Sequence, residues 1–224
     1  MPAPTAQFAE HKAKAILGSA GIPVAKEGLA SDADVAVAIW RDIQGPVVLK
    51  IASPDILHKT EIGGVLLNLE TEAAVRDGYA TLVQRAAEAA PDAQADGVIV
   101  AEMVSGGVET VMGVVSDPVF GQAVMFGLGG VFVEVLEDVT FRLAPFGFDE
   151  AHRMINEIHG RAMLDGVRGA PPIDIDALAN GLSRLSVFAA ENADVIETID
   201  INPFMALPDG AVAVDALIVP KKGV

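Results

Sequence analysis

Residues 108–130 read VETVMGVVSDPVFGQAVMFGLGG. Two apolar runs flank SDPVFG, a turn built from Asp, Pro and Gly. A connection that short joins neighbouring antiparallel strands and leaves no room for a crossover helix. VFVEVLEDVTFRLAPF follows at once, alternates between apolar and polar positions, and continues the same sheet. Apolar residues make up 51% of the chain, enough to build a real core on such a sheet.

Around this centre the pattern alternates between helix and strand. Helical segments are predicted over 8–20, with Phe8, Ile16 and Leu17 near one face, and over 31–43 with Ser31 as N-cap. Others span 71–90, capped by Thr71, 149–158, capped by Asp149, and 175–191. GPVVLKIA, GVLLNL and DGVIVAEMV are strands, as are DVIETIDINPF and AVAVDALIVP, which the loop MALPDG joins. The result is an α+β chain in two halves, 1–104 and 105–224, that meet near Ser105–Gly107. The join is too short for a free linker, so the halves are expected to form one cleft.

Bulk properties remove several function classes. The net charge is −16, which repels nucleic-acid backbones and anionic membranes. One Trp and one Tyr leave little for stacking on single-stranded bases. No apolar run approaches the ~20 residues of a membrane span, and the first fifteen residues carry no signal-peptide pattern. With no cysteine, disulfides and thiolate chemistry are excluded. A cytoplasmic protein is expected. No G-x-x-x-x-G-K-[ST] occurs, and GLGGVF at Gly127 is not a proper dinucleotide fingerprint. His152 and His159 lie seven apart with nothing to complete a metal set, and His11 reads as a helix-surface residue.

Four features carry possible chemistry. Lys50 ends an apolar strand and can reach a phosphate while its stem packs on neighbours, although a solvated strand-end lysine is the commoner case. Glu102 follows a buried strand and can accept from an adenine amino group or a ribose hydroxyl, with the Met103–Val104 backbone beside the base. An ordinary edge glutamate is the alternative. Asp200 and Asn202 are two apart and share a strand face, and Asp215 can come opposite them. These are three hard oxygen ligands suited to Mg²⁺ on phosphates. Finally, SPDILHKTEIGG places His58 in a loop ending at Gly63–Gly64, a candidate hinge. A neutral imidazole is a good nucleophile toward phosphorus, yet on chemistry alone an ordinary loop histidine is commoner.

Together, GIPV, GPVVLKIASPDILHKTEIGGV, VIVAEMV, FGLGGVFVEVLEDVTFRLAPF and IDINPF…AVDALI resemble the ATP-grasp β subunit, or β domain, of the NDP-forming acyl-CoA synthetases. These include the ADP-forming acetyl-CoA synthetases and are relatives of succinyl-CoA synthetase. The resemblance runs over nearly the whole chain. It implies two α+β lobes clamping ATP, here 1–104 with a phosphohistidine loop and 105–224 with Mg-binding strands. It implies that Lys50 binds ATP phosphates and that Glu102, Met103 and Val104 hold adenine and ribose. Glu109 matches a further nucleotide-site glutamate, and Arg142 is a candidate phosphate contact. Asn202 and Asp215 match Mg²⁺ ligands. His58 matches the histidine that relays a phosphoryl group to ADP, and Asp200 the aspartate that supports it. Succinyl-CoA synthetases typically carry Glu at the position of Asp200, which favours the acyl-CoA synthetase branch.

The expected reaction is ATP + carboxylic acid + CoA ⇌ ADP + Pi + acyl-CoA. No CoA-binding domain and no second phosphohistidine domain occur in the 224 residues. An α subunit carrying both is therefore expected, in an α₂β₂ assembly, unless the chain comes from a longer fused protein. An ATP-grasp carboxylate–amine ligase, needing no His58, and a non-catalytic ATP-binding regulator are the alternatives.

Overall fold

The structure is a computed structural model. It describes residues 8–53, 55–56, 59–91, 93–130, 137–167 and 169–222. They fall into two compact units: residues 25–105, and the described residues up to Val24 together with those from Gly106 onward.

In the unit 25–105, β1 (Glu27–Ala30), β2 (Val47–Ala52), β3 (Val65–Leu69) and β4 (Gly97–Glu102) form a sheet ordered β1-β4-β2-β3. Its pairings are all antiparallel. All six residues of β2 are buried. Val47, Leu49 and Ile51 pack with Val98 and Val100 against α2 (Ala33–Ile43) and α3 (Glu72–Ala89). Alternation then sends Val48, Lys50 and Ala52 to the other face. Thr71 caps α3 as expected, its hydroxyl accepting the Ala74 N–H at 3.2 Å. For α2 the cap is Asp32, not Ser31: the Asp32 carboxylate accepts the Val35 N–H at 2.9 Å, while the Ser31 hydroxyl donates to Asp32.

The second unit holds α1 (Glu10–Ser19), β5 (Val108–Asp117), β6 (Gly121–Leu128), β7 (Val139–Leu143), α4 (Phe148–Glu157) and α5 (Ile175–Glu191). A 3₁₀ turn spans His159–Asp165, and β8 (Ile196–Leu207), β9 (Gly210–Ala213) and β10 (Ala216–Pro220) close the unit. The sheet runs β10-β8-β5-β6-β7, with β9 also on β8. The expected hairpin is present in full register from Thr110↔Leu128 to Asp117↔Gly121. Met112, Val114, Val124, Phe126, Ile199, Ile201 and Phe204 form one core with Met154, Leu178, Leu182 and Leu185 of the helices. Gly147, rather than Asp149, is the N-cap of α4, and Asp149 sits in the first turn.

Two placements differ from the sequence pattern. The helix α1, grouped by sequence order with 1–104, lies with the second unit, because it is anchored on the last strands. Phe8 N–H donates to Ile218 O at 3.0 Å, and Lys14 Nζ donates to Val214 O at 2.9 Å. Its buried stripe is Glu10, Ala13, Lys14 and Leu17; of the expected apolar face, Leu17 is buried and Ile16 packs partly buried on the core, whereas Phe8 is exposed. Second, the last apolar run is two strands with a corner between them, and Asp215 lies in that corner.

Strand β8 is interrupted by a bulge. Met112 pairs with Ile201 but Thr110 pairs with Phe204, so β8 spends three residues where β5 spends two. The Thr110 hydroxyl, fully buried, closes the defect by donating to Phe204 O at 2.6 Å.

Asp138, just ahead of β7, holds the start of the 3₁₀ turn. Its buried carboxylate accepts the Gly160 N–H at 2.6 Å and the His159 N–H at 2.7 Å. Burial pushes its pKa up, but these donors outweigh it and hold the carboxyl below the ordinary aspartate value. Asp138→Ala is expected to lose about 1–3 kcal/mol in denaturant unfolding at pH 7. A lowered folded pKa stabilises the fold fully above the ordinary value of 3.8, and the wild-type advantage disappears as pH falls through the lower folded value. Unfolding curves at stepped acid pH check this.

Candidate functional site

The face of the larger sheet that carries candidate ligands is set by alternation on β8. Ile199 and Ile201 are buried in the core, so Asp200 and Asn202 leave on the opposite face and are exposed. Leu217 pairs with Asp200 and Ala216 with Ile201. Continuing that antiparallel ladder brings Asp215 beside Asn202, on the same face as Asp200. Val214 N–H donates to Pro203 O at 3.0 Å and fixes the corner from which Asp215 projects. Gly113 pairs with Asp200 across β5 and adds no side chain there. Glu109 pairs with Met205 and is exposed on this face as well; its backbone carbonyl accepts the Gly129 N–H at 2.7 Å. Asp200 keeps solvent contact, yet the protein around it desolvates its carboxyl and raises its pKa.

These residues fit a magnesium ion held jointly with phosphates. Asn202 and Asp215 supply hard oxygen donors from one face. Among the described residues no three His, Asp or Glu side chains converge to enclose a metal ion by themselves. Magnesium bound through one or two carboxylates plus substrate phosphates and water needs no such cage.

In the unit 25–105, Lys50 is buried at 8% exposure and pairs with Ile99 and Val65. Glu102 pairs with Val47, so the register sends it to the other face of this sheet from Lys50. Its carboxylate turns to β1 and accepts the Lys26 N–H at 3.4 Å. Met103 N–H donates to Pro46 O at 2.9 Å, which leaves the Met103 carbonyl, rather than its N–H, to meet a base. Val104 follows, partly buried.

His58 lies outside the described residues, but both ends of its segment are anchored. Ser53 donates to Gln94 O at 2.6 Å, and the Asp55 carboxylate accepts the Gln94 N–H at 2.9 Å. At the other end the Arg85 guanidinium donates to Gly63 O at 2.7 Å. Gly64 N–H donates to Lys59 O at 2.7 Å, and Gly64 O accepts from Ile51. A Cβ on Gly64 would stand 2.8 Å from Lys59 O and 2.9 Å from an Ile51 methyl. In this structure Gly63–Gly64, the expected hinge, is a close approach of backbone, with Gly63 at φ +64°.

Arg142 is not brought to the candidate face. It pairs with Val124, a core residue, and its guanidinium donates to Glu150 at 2.6 Å and Glu157 at 2.7 Å on α4. Both carboxylates hold it on the helix-covered side, away from the phosphate contact expected of it. Phe141 and Leu143, its neighbours on β7, take the open face and stay about half exposed, at 53% and 52%. Among the described residues no helix is long and apolar enough to cross a membrane.

Two antiparallel sheets, one with a buried strand lysine and the other with an oxygen-donor face, are the parts of an ATP-grasp protein. A family model described as ATP-grasp domain matches residues 3–219. The chain belongs to this family. Within it, the chain is a homologue of β subunits of ADP-forming acetate–CoA ligases. The ligase I β subunit of Pyrococcus furiosus is 44% identical over 210 residues, 94% of this chain and 90% of that protein. The dinucleotide forming acetyl-coenzyme A synthetase 1 of Ca. Korarchaeum cryptofilum, in complex with coenzyme A, Ca-AMPCP and HgCl+, aligns with a TM-score of 0.92 at 42% identity, over 96% of this chain and 93% of that one. The same enzyme with coenzyme A and Mg-AMPPCP, its phosphohistidine segment pointing towards the nucleotide binding site, gives 0.85 at 40% identity, over 96% and 93%.

The geometry separates two substitutions. Asp215→Ala is expected to weaken Mg-ADP binding by more than about tenfold, measured by calorimetry. Arg142→Ala should leave that affinity unchanged and cost ~1 kcal/mol of unfolding free energy through its lost ion pairs.

Proposed function

We propose that the chain is the nucleotide-binding subunit of an ADP-forming acid–CoA ligase, and that it moves a phosphoryl group between Mg-ATP and His58. The observation that carries this reading is the placement of Asp200, Asn202 and Asp215 on one sheet face in a chain of this family. Lys50 neutralises phosphate oxygens. Glu102, Met103, Val104 and Glu109 hold the adenosine part. Asn202 and Asp215 hold Mg²⁺, which when bound supplies positive charge to the phosphates.

In the transfer, a neutral imidazole nitrogen of His58 attacks the γ-phosphorus, an N–P bond forms, the bond to the bridging oxygen breaks, and ADP leaves. Asp200 accepts the other ring N–H and holds the tautomer that attacks. The reverse step gives ATP. Most of the rate comes from alignment and charge neutralisation. An α subunit with the CoA-binding domain and its own histidine completes the reaction, in an α₂β₂ assembly, and we place the reaction in the cytoplasm.

The test uses γ-labelled ATP with the chain and its copurified partner. Wild type is expected to take up an acid-labile label, and His58→Ala to take up none. Label retained in His58→Ala overturns the relay. ADP release that depends on an added amine and ignores His58→Ala marks a carboxylate–amine ligase instead.

A further inference from the structure

The least expected side chain in the second unit is Lys14. It sits on α1 at 1% exposure, among Ala13, Leu17 and the sheet core. Burying an ammonium group costs several kcal/mol, and a methionine fills similar space without that cost. The ammonium must therefore meet a demand that packing alone does not make. Its Nζ donates to Val214 O at 2.9 Å, across 200 residues of sequence.

Val214 is the corner residue between β9 and β10, and its other polar group is also committed, N–H to Pro203 O at 3.0 Å. Asp215 follows it directly, and Ala216 is then locked in pairing with Ile201. The backbone of Asp215 is thus held on both sides. On one side the hold is the sheet, and on the other it is a lysine from a helix far away in sequence. The corner lies outside the paired strands, so the Val214 N–H bond and the Lys14 ammonium together fix it.

We propose that Lys14 is a positioning residue for the metal site: by gripping the Val214 carbonyl it sets where the Asp215 carboxylate stands relative to Asn202. The inference rests on the reading of Asn202 and Asp215 as metal ligands. Lys14 acts through the Val214 backbone, as partners behind metal ligands do when they orient them.

The test uses the full chain as wild type, Lys14→Met, Asp215→Ala and the double variant. Bound Mn²⁺ is read by electron paramagnetic resonance in the presence of ADP, metal-free ADP binding by calorimetry in EDTA, and folding by circular dichroism melts. Lys14→Met is expected to fold, to weaken Mn²⁺ binding by about tenfold, and to leave metal-free ADP binding within about twofold of wild type. In the Asp215→Ala background the same change should have no further effect on Mn²⁺, since the two act through one ligand. Unchanged Mn²⁺ affinity in Lys14→Met overturns the proposal. So does an equal loss of metal-free ADP binding, or a Lys14→Met chain that does not fold, because the lysine would then serve the fold as a whole. A wild type that binds ADP but no Mn²⁺ overturns the metal reading of Asn202 and Asp215 instead, which separates the two failures.

Discussion

Ile201 and Phe204 are three residues apart on one strand, and both must be in the core. Strict alternation cannot do that, because it returns a side chain to the same face only every second residue. The extra residue in β8, opposite the Thr110–Met112 step of β5, resolves the conflict. Everything on the candidate face follows from where that bulge falls. Asp200 projects just ahead of it and Asn202 within it; downstream Phe204 returns to the core, and Met205, itself buried, pairs with Glu109. Bulges commonly re-aim side chains beside functional sites, and here the irregularity falls where the donor residues stand.

The unit 25–105 uses a different device. Its central strand is buried along its whole length, and the register sends Lys50 and Glu102 to opposite faces of the sheet. The segment that carries His58 is moored at Ser53 and Asp55 on one side and at Gly63 and Gly64 on the other. Its anchors are short contacts to Gln94, Arg85, Lys59 and Ile51.

Much of this was legible in the residues. The hairpin around SDPVFG, the buried strand before Lys50 and the Thr71 cap announce themselves through local chemistry that tertiary context leaves alone. Facing was harder. In VTFRLAP the apolar Val139, Phe141 and Leu143 suggest an inward row and Arg142 an outward one, but the acidic face of α4 claims Arg142, and the apolar residues turn to the open side. Glycine pairs read as freedom when taken alone, and Gly64 becomes a constraint only once Lys59 O is beside it. Lys14 did leave a trace: positions 10, 13, 14 and 17 have the spacing of a buried helix stripe. Two charged residues in that stripe hide it from a search for apolar periodicity.

The anchoring of α1 on the last strands has a consequence for biosynthesis. The helix leaves the ribosome well before the strands it packs on, and its lysine waits for a partner carbonyl 200 residues later. At 5–20 residues per second that wait is about 10–40 s. Through it, residues 25–105 can close their own sheet, while Ala13, Lys14 and Leu17 have no surface to bury against. Helix α1 is thus made before the unit 25–105 and completed after it, and its buried stripe stays unsheltered while the residues between Lys14 and Val214 are made.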